Sequence, residues 1–215
     1  MNILKINPEC PEPDLVNKAV EVILKGGVIG YPTETVYGLG VNALSDTAVE
    51  KIFELKGREK NKPILIIAAE LDQVKKLVAS FPHQAEILAK SFWPGPLTMV
   101  LEASDHLSES LLGGGNWIGV RIPDNQICLE LLKQCGVPIT STSANISGQK
   151  NPISAAEVCE NFGDKLDLII DGGDSTSPLP STVIGFEDDQ VTLFREGAIS
   201  IKTIEQIIGR TIDER

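Results

Sequence analysis

Lys51, Lys56, Arg58, Lys60 and Lys62 crowd positive charge into one short stretch of a chain that is otherwise strongly acidic. A local excess of cations suits a polyphosphate. It also suits a solvated helix end, where cations favour the carboxyl-terminal dipole. Pro63 and the apolar run Ile64 to Ala69 follow directly, so these charges sit where a helix feeds into a sheet, and α/β folds build sites in such loops. Arg121 is flanked by Ile118, Val120 and Ile122. An arginine inside an apolar strand must find an anion, and two are open to it: an internal Asp or Glu, or a substrate carboxylate held by the guanidinium fork. Ser141, Thr142, Ser143, Asn145 and Ser147 gather short donors and acceptors suited to a polar ligand. A serine nucleophile is rejected, because there is no G-x-S-x-G elbow and His83 and His106 stand in unremarkable contexts. The stretch Tyr31-Pro32-Thr33-Glu34-Thr35-Val36-Tyr37-Gly38-Leu39-Gly40 reads either as an ordinary turn or as a site loop with hydroxyls, a carboxylate and close-approach glycines. No G-x-x-x-x-G-K-[ST] occurs, which disfavours a P-loop NTPase.

The elements that must position these residues alternate between helix and strand, an α/β pattern. Helices are expected over Asp14 to Lys25, from a Ser45 cap to Lys56, over Asp72 to Ala79, His83 to Phe92, from Asp124 through the stripe Ile127, Cys128, Leu131, Leu132 and Cys135, after a Ser154/Glu157 capping box, and from Thr203. Strands are expected at Val28 to Tyr31, Ile64 to Ala69, Leu97 to Ala103, Ile118 to Ile122, the extended chain through Thr140, and Leu168 to Ile170. Thr182 to Phe186 and Val191 to Phe194 read as a hairpin turning at Glu187-Asp188-Asp189-Gln190. A hairpin among helix-linked strands implies a mixed sheet.

With 215 residues and 42% hydrophobic content, one domain over 1–215 is expected. The 30 acidic against 19 basic residues give a net charge of −11, so long-range attraction to nucleic acid or anionic membrane is not expected and any RNA contact would be weak and local. The longest apolar run is far short of a membrane span and there is no charged leader before an apolar stretch, so a cytoplasmic protein is expected. Cys10, Cys128, Cys135 and Cys159 show no metal-binding spacing and neither histidine falls beside them; no protein-held metal site is expected, and the two cysteines on the helix stripe read as plain buried thiols.

Taken together, Lys56-Gly57-Arg58, Ser143-Ala144-Asn145, the Tyr31 to Gly40 stretch, Trp93-Pro94-Gly95-Pro96-Leu97-Thr98, Val120-Arg121-Ile122-Pro123, Ser181-Thr182-Val183 and Leu193-Phe194-Arg195-Glu196-Gly197 resemble the blocks of the YrdC-like threonylcarbamoyl-AMP synthases, in order, over a core of about residues 10–207. The resemblance implies a twisted, open, mixed sheet flanked by helices around a deep concave cavity. It implies the joining of L-threonine, bicarbonate and ATP into threonylcarbamoyl-adenylate, with pyrophosphate released and magnesium accompanying the nucleotide. A separate transferase complex would pass the group to adenosine 37 of tRNAs reading ANN codons. It further implies that Lys56 and Arg58 act in catalysis, that Lys56, Arg58, Lys62, Ser143, Asn145, Asn151 and Arg195 hold ATP, and that Thr35, Arg121, Ser141 and Ser181 hold threonine.

Two departures stand out. Many relatives have a histidine where this chain has Ile67, so a histidine contact with threonine is not carried over. Longer relatives add a second domain and a linker over ATP, whereas this chain resembles the short form, with the Gly172 to Pro180 segment as a candidate closing loop. The rival on the same scaffold is an RNA- or nucleotide-binding paralogue without synthesis; RNA binding alone would need a wide basic face, which the acidic balance opposes, and the set of threonine-site blocks favours synthesis. A sensor that binds threonine or ATP without turnover is the third reading.

Overall fold

A computed structural model describes every residue except Met1, Thr176, Pro178, Asp188, Asp189 and Arg215. In chain order its strands are β1 (Ile3–Lys5), β2 (Ile29–Tyr31), β3 (Gly38–Gly40), β4 (Ile66–Ile67), β5 (Leu97–Glu102), β6 (Trp117–Arg121), β7 (Ile139–Thr140), β8 (Thr142–Ser143), β9 (Leu168–Asp171), β10 (Thr182–Glu187), β11 (Gln190–Arg195) and β12 (Asp213–Glu214). The helices are α1 (Pro13–Leu24), α2 (Asp46–Lys56), α3 (Leu71–Leu77), α4 (His83–Phe92), α5 (Glu109–Leu112), α6 (Gln126–Cys135), α7 (Ala155–Phe162) and α8 (Ile201–Ile208).

The mixed pairing expected from the hairpin is present, but it is divided between two sheets. One has the order β1-β9-β2-β3-β8 and the other β12-β11-β10-β5-β6-β4-β7. In the first, β9 runs parallel to β1 and β2, while β2–β3 and β3–β8 are antiparallel. In the second, the β10–β11 hairpin is antiparallel and β10 continues parallel to β5. The turn of that hairpin lies partly outside the described residues. The run Ile64 to Ala69 forms a regular ladder only at Ile66 and Ile67, parallel to β6 and antiparallel to β7. Its flanks still bond, with Ala68 N–H donating to Arg121 O at 3.0 Å and Ser141 N–H to Leu65 O at 2.7 Å.

Apolar spacing explains how the layers close. Pro13 pre-sets the first turn of α1, and Val16, Ala19, Val20 and Ile23 form its buried stripe. That stripe packs with Ile127, Cys128, Leu131, Leu132 and Cys135 of α6 over Ile29, Tyr31, Leu168 and Ile170 of the first sheet. Burial raises the Cys128 and Cys135 thiols, the latter to about 11, as expected of core thiols. A second, larger cluster joins the other face, Leu39 and Val41, to Ile66, Leu97, Met99, Ile118 and Val120 of the second sheet.

The helix starts differ in detail. Asn125, rather than Asp124, caps α6 by accepting from Cys128 N–H at 3.0 Å, and Ser200 caps α8 three residues before Thr203, whose N–H it accepts at 3.2 Å. Ser45 precedes α2 without a side-chain cap bond; its hydroxyl pairs with Thr47 instead, at 3.2 Å. In the Ser154/Glu157 pair the serine accepts from Glu157 N–H at 3.2 Å, while the Glu157 carboxylate reaches one residue beyond the cap to Ile153 N–H at 2.7 Å. Among the described residues, no helix is long and apolar enough to cross a membrane.

Candidate functional site

Between the two sheets lies a cavity of about 400 Å³. The first sheet contributes the Thr35 to Gly38 stretch, Thr142 and Ser143; the second contributes Arg121, Val183, Phe194 and Arg195. Of the residues singled out in the sequence, Thr35, Arg58, Arg121, Ser141, Ser143, Asn151, Ser181 and Arg195 all line it. Lys56, Lys62 and Asn145 line an adjoining depression of about 330 Å³, which shares Arg58 and Ser143 with the first. Ser141 is the single residue between β7 of one sheet and β8 of the other, so it stands at their seam.

Arg121 takes the internal partner. It lies 5% exposed, and its Nη1 donates to Glu34 Oε1 at 2.8 Å and to Thr35 Oγ1 at 3.2 Å. The substrate alternative survives this pairing, because a guanidinium has five N–H donors and this one also faces the cavity. Proton directions around Thr35 follow from the geometry. Thr33 Oγ1 donates to Val36 O at 2.7 Å, so in its 3.0 Å contact with Thr35 Oγ1 it must accept. Thr35 thus spends its hydroxyl proton inward and presents only lone-pair capacity to a ligand.

The cationic island is less uniform than its sequence suggests. Lys51 donates to Gly26 O at 2.6 Å, Lys60 pairs with Glu50 at 3.6 Å, and Lys62 pairs with Glu59 at 3.1 Å on the exposed rim. Arg58 is the member delivered to the main cavity. Gly57 adopts φ 59°, and Arg58 N–H then closes α2 on Phe53 O at 3.1 Å, a left-handed stop that turns the next side chain off the helix axis. Arg58 Nη2 donates to Pro63 O at 2.9 Å, while its buried Nε has no hydrogen-bond partner among the described residues. Burial lowers the Arg58 pKa, and an anion placed beside it would offset that cost.

Lys56, expected to contact phosphate, lines the adjoining depression with its ammonium engaged by the chain itself. It is 3% exposed and its Nζ donates to Ser143 O, to Asn145 O at 2.7 Å and to Asn145 Oδ1 at 3.3 Å. Burial first, and the neighbouring Arg58 charge second, lower it to about 8. Asn145, expected to touch ATP, is likewise engaged within the chain. Its Oδ1 also accepts from Ser143 Oγ at 2.5 Å, and its Nδ2 donates to Gln149 O at 2.6 Å.

On the opposite wall Arg195 grips Ser181. Nε and Nη2 donate to Ser181 O at 3.1 and 2.8 Å, and Nη2 also reaches Ser181 Oγ at 3.2 Å. Desolvation, and then the charge of Arg121, lower the Arg195 pKa. Ser181 Oγ sits 2.9 Å from Thr98 Oγ1. Gly197 backs this serine so tightly that a Cβ would stand 2.3 Å from Pro180 O and 2.6 Å from Ser181 C. Gly197→Ala is therefore expected to displace the Ser181 backbone and destabilise the fold by about 1–3 kcal/mol. Urea denaturation checks this; an unchanged midpoint would contradict the close approach.

The Gly172 to Pro180 segment is tied at several points among its described residues. Tyr37 donates its hydroxyl to Gly173 O at 2.7 Å, and Ser175 and Ser177 N–H donate to Ile153 O at 2.8 Å and Glu34 O at 3.2 Å. Ile67 is fully buried among Tyr31 and Ile139 and does not line the cavity. Leu65, Val183 and Phe194 also line the cavity; the last two stand inside the quoted motifs but were given no role in the site. The first two are apolar strand residues that any core would use, but Phe194 is 44% exposed at a hairpin strand, and a solvent-facing aromatic beside Arg195 is a signal that was available. Phe194 also borders a groove of about 240 Å³ with Val100, Trp117 and Phe186.

Among the described residues, no carboxylate lines the cavity and no group of three His, Cys, Asp or Glu able to hold a metal occurs.

The family model named for Sua5, YciO and YrdC, described as "Telomere recombination", matches residues 21–197. A Pyrococcus abyssi protein named threonylcarbamoyl-AMP synthase is 44% identical over 191 residues, covering 89% of this chain and 56% of its own length. A protein of the same name from Idiomarina loihiensis is 35% identical over 183 residues, 84% of this chain and 97% of that one. The crystal structure of P. abyssi Sua5 complexed with L-threonine superposes with a TM-score of 0.96 at 40% identity, covering 100% of this chain and 63% of that one. The chain thus spans little more than half of the P. abyssi relative. On the match of the family model and the agreement of fold, the chain belongs to the Sua5/YciO/YrdC family.

Proposed function

We propose that this chain joins L-threonine, bicarbonate and ATP into threonylcarbamoyl-adenylate and releases pyrophosphate. The observation that carries the reading is one cavity walled by Arg121 and Thr35 at one place and by Arg58 and Arg195 at others. Such a site can hold a carboxylate and a polyphosphate together. The names of the relatives, and the threonine in the P. abyssi structure, support the same substrates.

In this reading the threonine carboxylate takes the free N–H groups of Arg121, and Ser141 and Ser181 offer hydroxyls beside it. Thr35, able only to accept, takes an N–H or O–H of the amino acid. The threonine amine condenses with bicarbonate, losing water, to give a carbamate. A carbamate oxygen then attacks the α-phosphorus, the bond from that phosphorus to the bridging oxygen breaks, and pyrophosphate leaves. Arg58 and Arg195 stabilise the charge that accumulates, with Lys62, Ser143 and Asn151 at the nucleotide's edge; no covalent nucleophile is needed. Magnesium arrives as part of the nucleotide substrate. The groove at Phe194 and Trp117 offers the adenine an aromatic face. Nucleotidyl transfer, a cytoplasmic setting, one YrdC-like domain and a downstream tRNA threonylcarbamoyl transferase complex belong to the same proposal.

Incubating the purified chain with Mg-ATP, L-threonine and bicarbonate should yield pyrophosphate and an adenylate of the expected mass, both lost when bicarbonate is omitted. Binding of ATP and threonine without either product would sink the proposal.

A further inference from the structure

Lys56 and Asn145 share one set of internal contacts. The ammonium makes hydrogen bonds to three acceptors, Ser143 O, Asn145 O and Asn145 Oδ1, and an ammonium has only three protons. Its backbone joins in, with Lys56 O accepting from Ser147 N–H at 3.3 Å. The Asn145 oxygen collects both Lys56 and the Ser143 hydroxyl, and its nitrogen is turned to Gln149 O. Ser143 itself faces both the main cavity and the adjoining depression. Burying a cation is costly, and the three carbonyl acceptors around this one offset that cost only while the chain holds them in place. Here the cation fastens the end of α2, which delivers Arg58, to the strand end that presents Ser143.

We infer that Lys56 and Asn145 form a latch that positions Arg58 and Ser143 against each other, and that Lys56 itself touches no phosphate. Lys56 is then a positioning residue and Arg58 the direct ligand. This rests on the nucleotide reading of the cavity.

A direct phosphate ligand loses more affinity with each phosphate the nucleotide carries, whereas a latch lost from the binding wall weakens all nucleotides alike. The test is calorimetric binding of AMP, ADP and ATP, with magnesium and threonine, to the full chain and to Lys56→Met, Asn145→Ala and their double variant. Lys56→Met should weaken all three by about the same factor, on the order of tenfold. Asn145→Ala should do likewise, and the double variant should lose little more than either single one, because both remove the same set of bonds. Lys56→Arg, which keeps the charge but not the point-like geometry, should fail to restore affinity. Losses that grow from AMP to ATP, losses that multiply in the double variant, or rescue by Lys56→Arg would each overturn the latch. If Lys56→Met does not fold, Asn145→Ala carries the same comparison, since its phosphate dependence alone decides. A wild-type chain that binds no nucleotide would instead remove the proposed function beneath it.

Discussion

Arg121→Leu is expected to abolish threonine-dependent pyrophosphate release, a loss on the order of a hundredfold or more, and to cost about 3–5 kcal/mol of stability. The two losses have different origins. Stability falls because the carboxylate of Glu34, 12% exposed at its side chain, loses its 2.8 Å guanidinium partner. Activity falls because the amino acid loses its carboxylate fork. The double variant Arg121→Leu/Glu34→Leu separates them: removing both charges should recover most of the unfolding midpoint while turnover stays lost. Urea denaturation and a pyrophosphate assay read the two effects. Restored activity in the double variant would show that Arg121 serves the fold alone.

Arg58→Ala is expected to reduce turnover by on the order of a hundredfold, and more than Thr35→Ala does. Arg58 brings to the cavity a buried Nε without a partner among the described residues, so its charge is available where the leaving pyrophosphate develops. Thr35 contributes one neutral oxygen already shared with Arg121, and its loss should appear mainly as a higher KM for threonine. Steady-state pyrophosphate release at varied ATP and threonine checks the split. Equal falls in kcat for the two variants would contradict this division of roles.

The long, strongly periodic elements were legible in the sequence. The α6 stripe of Ile127, Cys128, Leu131, Leu132 and Cys135 is buried as spaced, and His83–Phe92 is a helix with the bounds read from its pattern. The first sheet was largely hidden because its strands are too short to show a period. Gly38–Gly40 is three residues of glycine and leucine, and Thr142–Ser143 is a polar pair; both are set by long-range pairing rather than by propensity. Part of the membership of the cavity was legible from polar motifs, the Thr35 stretch, Arg121 and Ser141, and Arg195 came from the family resemblance; all four line it across more than a hundred residues of chain. Which of those groups face a ligand was not. Lys56 and Arg58 read as equivalent cations two residues apart, and only the left-handed turn at Gly57 and the carbonyls around Lys56 distinguish an inward cation from an outward one.

A molecule seated against Thr35 and Arg195 at once would clasp two layers that the polypeptide itself joins at the same cavity, through Ser141 between β7 and β8 and through the chain that runs from β9 to β10. Binding energy and cohesion between the layers then become a single quantity, and occupancy tightens the whole body rather than one wall of it.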